Sequence, residues 1–187
     1  MNKRAQLYVL LGLFFGPLLV AWIWFFQFED MRPGTVNNGD LIEPLVPVGD
    51  LELYPRDGGE AARPFADDWF VVLLAPGDCG AECERALYVT RQVWIRLNKD
   101  ADRVQRVLIA GPGVSIPARE HQDLEIYDAN ANALARFDDP QRPALRGAER
   151  IYLVDPRGNL MMSYPPGFTP EMLYDDLKRL LRYSDAG

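Results

Sequence analysis

The chain has 187 residues, of which 48% are hydrophobic, and a formal net charge of −7 at pH 7. This acidic balance argues against binding of nucleic acid through the protein's electrostatic field, because phosphates attract basic surfaces. The sequence has one histidine and no serine beside a plausible base, so it shows no visible hydrolase machinery.

An uncharged segment from Leu7 to Phe28 predicts a transmembrane helix. At about 1.5 Å per residue it would span roughly 33 Å, enough for the hydrocarbon core of a bilayer. Lys3 and Arg4 precede it and acidic residues follow, which predicts a cytoplasmic N-terminus. A cleaved signal peptide is the alternative. The length of the apolar run and the lack of a small-x-small motif after Phe28 argue against it.

The predicted organisation has four parts. They are a cytoplasmic tail at 1–6, the transmembrane helix at 7–28, a tether at 29–50 and an outward-facing domain at 51–187. The chain is therefore predicted to be a single-pass protein of the inner (plasma) membrane with a periplasmic or other extracytoplasmic domain. The tether is rich in turn formers, yet its apolar pairs Leu41-Ile42 and Leu45-Val46 are compatible with a short strand or hairpin. The alternating segment 51–54 is a candidate partner for that strand.

The outward domain alternates strands with helices. Strands are predicted at 69–75, 104–110, 124–127, 151–154 and 160–164, and helices at 79–98, 129–137 and 169–183. Asp78 is the candidate N-cap of the first helix, and Pro170 follows Thr169 at the start of the last one. Alternation predicts an α/β domain, and the hairpin that turns at 155–159 makes its sheet mixed.

Cys79 and Cys83 are the only cysteines, and they directly follow the first buried strand. On a helix these positions share a face with Cα atoms about 6 Å apart, within the range that a disulfide tolerates. A helix N-terminus lowers the pKa of a thiol. Neighbouring carboxylates oppose that effect, and Arg85 partly offsets them. Thiol or soft-metal chemistry, a small structural disulfide and two packed thiols all remain open from the residues alone.

The first strand, the Cys-x-x-x-Cys pair and the later segment Ile151–Gly158 resemble the Sco family. Sco proteins are membrane-anchored, thioredoxin-fold proteins that act in cytochrome c oxidase assembly. The resemblance covers most of residues 40–183. It implies a thioredoxin-like mixed sheet flanked by helices and preceded by one N-terminal transmembrane helix. It also implies a role in maturing the copper centre of oxidase subunit II.

Two departures from the Sco pattern concern the segment before Tyr152. Sco proteins bind copper with both cysteines and a histidine located there, and Gly147 occupies the corresponding place in this chain. Thioredoxin-like reductases carry a proline near the same point, where this chain has Glu149. The resemblance therefore predicts a divergent, Sco-like accessory protein that lacks the copper-ligand histidine.

Other soft ligands in the sequence are few. His121 is the only histidine, and one imidazole with two thiolates would suit Cu(I). A surface histidine is the alternative interpretation. Met161 and Met162 carry thioethers, and because strand neighbours point to opposite sides, one of them is expected to face the core.

Three functions follow as hypotheses. The first is an accessory factor for oxidase assembly that exchanges thiols and disulfides, with Cys79 attacking and Cys83 resolving the mixed disulfide. The second is a Cu(I) metallochaperone that uses the same cysteines as metal ligands, with His121 as a candidate third ligand. The third is a non-catalytic, membrane-tethered interaction module with a structural disulfide. Expected partners are the membrane, oxidase subunit II or another assembly factor, and copper is the candidate cofactor.

Overall fold

The computed structural model describes residues 3–27, 36–111, 113–116, 122–139, 141–145 and 150–184. It separates into two compact units, Met1–Val36 and Asn37–Gly187. The described residues of the first unit form the helix α1 at Lys3–Gln27. Its segment Arg4–Ile23 is long and apolar enough to cross a membrane. α1 is thus the element that the sequence predicts as the anchor, while Phe28 lies outside the described residues.

The second unit is built on a seven-stranded sheet with the strand order β1-β7-β6-β3-β4-β5-β2. Strands β3, β4 and β5 run parallel, whereas β6, β7, β1 and β2 each pair antiparallel with their neighbours. The strands are β1 Asp40–Pro47, β2 Tyr54–Pro55, β3 Trp69–Ala75, β4 Val104–Ala110, β5 Leu124–Asp128, β6 Ile151–Val154 and β7 Asn159–Tyr164.

Helices cover both faces of this sheet. They are α2 Ala81–Leu97, α3 Ala131–Leu134 and α4 Pro170–Tyr183, with 3-10 turns at Asn98–Arg103 and Pro143–Leu145. On one face α2 and α4 bury leucines and valines against β3, β4 and β6, and α3 and the second turn close the other face. All seven residues of β3 are buried, as expected for a strand covered on both sides. The predicted α/β, thioredoxin-like mixed sheet is confirmed.

The strand predictions hold for the centre of the sheet and fail at one edge. The observed β3, β4 and β6 have the predicted bounds, and the β6–β7 hairpin is present. The sequence predicts that the segment 51–54 pairs with a strand formed by Leu41-Ile42 and Leu45-Val46, and this pairing is wrong. β1 pairs with β7, whereas β2 pairs with β5 at the opposite edge. Local alternation marks a strand but carries no information about its partner. β1 also places residues 40–47, inside the predicted tether, in the sheet.

Two helix predictions need correction. α2 begins at Ala81 with Gly80 in the N-cap position, so Asp78 is not its cap and Cys79 precedes the helix. Gly80 has an extended backbone, φ −81° and ψ −170°, which ends the loop that follows β3. The predicted helix at 129–137 is reduced to the single turn of α3, capped by the Asn130 side chain. α4 begins as predicted, with the Thr169 hydroxyl accepting a hydrogen bond from the Met172 N–H.

A buried carboxylate on α4 holds the first residues of the domain. Asp176 is 2% exposed and accepts hydrogen bonds from the Asn38 N–H at 2.9 Å, the Gly39 N–H at 3.0 Å and the Tyr164 hydroxyl at 2.9 Å. We call these four residues the Asp176 clamp. Burial, and then the neighbouring Asp176 carboxylate, raises the pKa of Tyr164, which keeps its hydroxyl as a donor. The clamp therefore joins the entry of the domain to both α4 and β7.

Candidate functional site

Cys79 and Cys83 form a disulfide with Cα atoms 5.2 Å apart. Cys79 lies in the loop between β3 and α2, and Cys83 lies in the first turn of α2. Both side chains are partly buried and pack against the core on the α2 face of the sheet. The structure thus brings the two predicted site residues together.

The position of the disulfide follows from the strand that precedes it. β3 is central in the sheet, between β6 and β4, and its last residue, Ala75, pairs with Ala110. The chain leaves β3 through residues 76–78, which are exposed, and then reaches Cys79. The disulfide therefore lies at the solvent-accessible rim where a buried strand ends and a helix begins. Ligand and catalytic sites in α/β proteins favour this rim.

Arg85 is the basic residue nearest in sequence to Cys79 and Cys83, and its guanidinium points towards the loop before α4. It donates a hydrogen bond to the Phe168 carbonyl at 2.7 Å and lies 5.6 Å from the centre of the Phe168 ring. Its distance to the Glu82 carboxylate is 3.9 Å, and both side chains are substantially exposed. Such an exposed ion pair contributes little, so most of the bonding of Arg85 is to Phe168.

A small cavity lies beside Cys83. Its volume is about 20 Å³, room for about one water molecule. It is lined by Leu73, Leu74, Glu82, Cys83, Ala86, Arg150 and Ile151. The start of β6 therefore lies next to the cysteine-bearing helix, as the Sco and thioredoxin resemblance implies. Gly147 and Glu149, the two positions at which the chain departs from those patterns, lie outside the described residues.

Arg150, which lines this cavity, is buried and makes hydrogen bonds inside the protein. Its Nε and Nη2 donate hydrogen bonds to the Ser163 hydroxyl at 3.1 and 3.0 Å, and Nη2 also contacts the Asp40 carboxylate. These bonds connect the start of β6 with β7 and β1. The residue therefore acts as an internal connection, and its side chain is only 8% exposed.

A second buried arginine supports the helix that carries Cys83. Arg106, on β4, donates hydrogen bonds to the Leu87 carbonyl at 2.7 Å and the Thr90 hydroxyl at 2.9 Å, and it pairs with the Asp123 carboxylate. Arg91 Nε lies 3.2 Å from the same carboxylate. These contacts fix α2 to β4 and to the start of β5. Sequence reasoning missed this network, although a charge inside the apolar run 104–110 was its visible signal.

The charge of Asp123 is maintained by these arginines. Burial alone would raise its pKa, but the hydrogen bond and charge of Arg106, together with Arg91, outweigh that effect and lower it. Burial conversely lowers the pKa of Arg106, although an arginine remains protonated at any physiological pH. The pair is therefore ionised in the folded protein.

Metal ligands other than the cysteines are not assembled in the described part of the chain. Among these residues no group of three or more His, Cys, Asp and Glu side chains could hold a metal ion. Met162 is the buried methionine of the pair, with its sulfur 3.1 Å from the Tyr164 hydroxyl, while Met161 is partly buried. The predicted candidate ligand His121 lies outside the described residues.

Residues 69–184, from β3 to beyond α4, match a sequence model of the protein family described as "transmembrane-like, thioredoxin-like, C-terminal domain". The chain belongs to this family. The matched stretch contains the disulfide, both helices of the α2 face and the β6–β7 hairpin, so family and fold agree. No curated protein matches the chain.

Several solved structures of Sco proteins share the fold. Apo Sco1 of Thermus thermophilus is 17% identical, with a TM-score of 0.60 over 80% of this chain and 99% of its own. Copper-bound yeast Sco1 is 14% identical, with a TM-score of 0.56 over 81% of this chain and 96% of its own. BsSco, a Sco-family cytochrome c oxidase assembly protein in which a disulfide switch was identified, is 14% identical, with a TM-score of 0.55 over 76% and 96%. The Sco resemblance predicted from two motifs is confirmed at the level of the fold.

Proposed function

We propose that this protein is a membrane-anchored, thioredoxin-like accessory factor for cytochrome c oxidase assembly that acts by thiol–disulfide exchange through Cys79 and Cys83. The observation that carries the proposal is the disulfide at the rim of the sheet, between a central strand and the start of a helix. The fold shared with Sco proteins, among them an oxidase assembly protein with a disulfide switch, supports the biological setting.

The exchange proceeds in two steps from the reduced pair. The Cys79 thiolate attacks a disulfide of the partner, forms a mixed disulfide and releases one partner thiolate. The Cys83 thiolate then attacks the Cys79 sulfur, which closes the intramolecular disulfide and releases the second partner thiolate. The partner gains two electrons, which the cysteine pair loses, and solvent protonates the released thiolates. A dithiol reductant on the same side of the membrane must restore the reduced pair.

Cys79 is the better candidate for the attacking thiol. It lies just before α2, where the first amides of the helix have no intrahelical partner and the dipole favours negative charge. Both effects stabilise a thiolate. The exposed carboxylates of Asp78 and Glu82 flank it and oppose this stabilisation. We therefore expect a modestly activated thiol that reduces partners more readily than it oxidises them.

Anchoring would place this chemistry near membrane-bound oxidase subunits. The proposed span is 7–28, and the charges of Lys3 and Arg4 favour a cytoplasmic N-terminus and an extracytoplasmic thioredoxin-like domain. Subunit II of the oxidase, or another assembly factor, is the proposed partner. A tag placed at each end of the chain and tested for protease access in membrane vesicles measures this orientation.

The direct test is the reduction potential of the Cys79–Cys83 pair in the full chain. A potential in the range of about −180 to −270 mV, where dithiol oxidoreductases operate, supports exchange, whereas a value far below about −300 mV indicates an inert structural bond. Trapping provides a second test, because Cys83→Ser should retain the partner in a mixed disulfide and Cys79→Ser should not. Unchanged oxidase activity in cells carrying both substitutions would favour the interaction module instead.

Copper binding is the second candidate function. Two adjacent sulfurs are soft ligands, and the fold is shared with the copper-bound form of yeast Sco1. The thiolate is the form that binds the metal, so the disulfide must first be reduced. Anaerobic titration of the reduced protein with Cu(I), beside variants at both cysteines and His121→Ala, tests this function. Absence of binding, or binding that survives loss of both cysteines, would eliminate it.

A further inference from the structure

Gly111, the residue after β4, lies directly against the loop that leads to Cys79. Its N–H donates a hydrogen bond to the Ala75 carbonyl at 2.9 Å. A Cβ atom placed on Gly111 would be 2.5 Å from the carbonyl oxygen of Pro76 and 3.2 Å from its carbonyl carbon. Both neighbours are backbone atoms, so a side chain at Gly111 requires one of the two segments to move. The glycine is therefore needed for close backbone approach.

The Gly111 side of this contact is braced. The Val114 N–H donates to the Gly111 carbonyl at 3.3 Å, and Arg56 Nη1 donates to the Val114 carbonyl at 2.7 Å. Arg56 also pairs with the Asp128 carboxylate at the end of β5. β4 itself is hydrogen-bonded on both sides, to β3 and β5. Displacing Gly111 would therefore disturb an ion pair and two strand ladders.

The Pro76 side is open. Residues 76–78 are exposed, and a Cβ placed on Gly77 meets no described atom within 4 Å. Nothing comparable to the Arg56 brace is seen among the described contacts of this loop. A clash at Gly111 is therefore relieved most easily by an outward movement of Pro76, which is three residues from Cys79.

We infer that Gly111 is a positioning residue for the Cys79–Cys83 pair, and that the absence of its side chain sets where the Cys79 loop lies against the sheet. The inference rests on the proposed function for its biological meaning. A disulfide requires Cα atoms within a narrow range of separation, and the observed distance is 5.2 Å. The dithiol has no such requirement. Moving the loop therefore penalises the oxidised form more than the reduced form and shifts the equilibrium towards the dithiol.

The experiment compares Gly111→Ala with the matched control Gly77→Ala in the full chain, held in detergent micelles. Each protein is equilibrated with graded ratios of reduced and oxidised dithiothreitol, and the free thiols are trapped by alkylation and counted. We expect Gly111→Ala to favour the dithiol at least fivefold more than the wild type, a potential about 20 mV less negative. Gly77→Ala should stay within twofold. An unchanged equilibrium in Gly111→Ala overturns the inference.

Thermal unfolding of the oxidised and of the reduced protein distinguishes a positioning role of Gly111 from a purely structural role. Positioning predicts that Gly111→Ala loses more stability in the oxidised protein than in the reduced one, because the two equilibria are linked. An equal loss in both states overturns the inference. If the oxidised variant does not fold, Gly111→Ala is placed in the Cys79→Ser, Cys83→Ser background. Folding there supports the inference, and failure to fold there overturns it.

This test is independent of the proposed function. It uses only dithiothreitol, so no partner is required. A wild-type potential far below about −300 mV would remove the exchange function whatever Gly111→Ala does. An unchanged equilibrium in Gly111→Ala would remove the positioning role and leave the exchange function in place.

Discussion

Replacing the central carboxylate of the Asp176 clamp should destabilise the domain at its entry. Asp176→Ala removes the acceptor for the Asn38 N–H, the Gly39 N–H and the Tyr164 hydroxyl. Asn38 is exposed and can bond to water after the change. The donors on Gly39 and Tyr164 are buried and lose their partner, apart from the weak acceptor that the Met162 sulfur offers to the hydroxyl at 3.1 Å.

The size of the effect follows from these two donors. A buried donor left without its partner costs about 1–3 kcal/mol. Asp176→Ala leaves the Gly39 N–H and the Tyr164 hydroxyl without this partner, and the Met162 sulfur replaces it only in part for the hydroxyl. We therefore expect a loss of about 3–4 kcal/mol in the free energy of unfolding. For a domain of this size, a loss of about 1 kcal/mol lowers the melting temperature by roughly 2–4 °C, so we expect a decrease of about 10 °C. Tyr164→Phe removes one bond only and should cost about 1 kcal/mol.

The assay is thermal unfolding of the full chain in detergent micelles, followed by circular dichroism. Asp175→Ala is the matched control, because Asp175 is the exposed neighbour of Asp176 on the same helix and its loss should change stability by less than about 0.5 kcal/mol. Hydrogen exchange adds a local measurement, since the Gly39 amide should lose its protection in Asp176→Ala. If the two variants melt within about 1 °C of each other, our account of the clamp is refuted.

Four further predictions concern Asp123, Arg85 and Tyr164. Asp123→Asn should lower the free energy of unfolding by about 3–5 kcal/mol, because it leaves Arg106 buried without a counter-charge; equilibrium unfolding in urea measures this loss, and a loss below about 1 kcal/mol would contradict it. The folded pKa of Asp123 is depressed, so its contribution to the free energy of unfolding is complete above its unfolded pKa of about 4 and disappears as the pH falls through the folded pKa. The decrease of stability with falling pH should therefore be shallower in Asp123→Asn than in the wild type. Identical slopes would argue against the ion pair. Arg85→Ala removes the hydrogen bond and ring contact to Phe168 and should cost about 1 kcal/mol with little change in reduction potential, which melting and redox titration together test. Since the pKa of Tyr164 is raised far above its ordinary value, an ultraviolet titration should show it ionising only when the protein unfolds in alkali.

The central sheet was predictable from the sequence because its strands are mostly apolar, with Gln105 and Arg106 in β4 as the exceptions. The runs 69–75, 104–110 and 151–154 have no alternation, which is typical of strands buried on both faces. The order of the edge strands was not predictable, because pairing depends on contacts between residues that are distant in sequence. β1 and β7 are an example, with Asp40 opposite Ser163.

The candidate site was predictable in its residues and less so in its surroundings. The spacing of Cys79 and Cys83 is a local signal, and the structure places the two sulfurs in one bond. The supports of the site are long-range contacts. Gly111 contacts Pro76 across two strand ends, and Arg106 reaches Asp123 and α2 from the interior of β4. Local sequence patterns do not predict such contacts, because the residues that make them are distant in sequence.

The ring closed by the disulfide is very short, with the two cysteines only four positions apart. Cross-linking so short a stretch removes little freedom from the unfolded chain, about 2 kcal/mol by loop-closure entropy, against nearly 5 for a loop of a hundred residues. The architecture of the domain accordingly owes little to this covalent bond. Repeated reduction and re-oxidation of the disulfide should therefore leave the surrounding fold intact, as a redox-active disulfide requires.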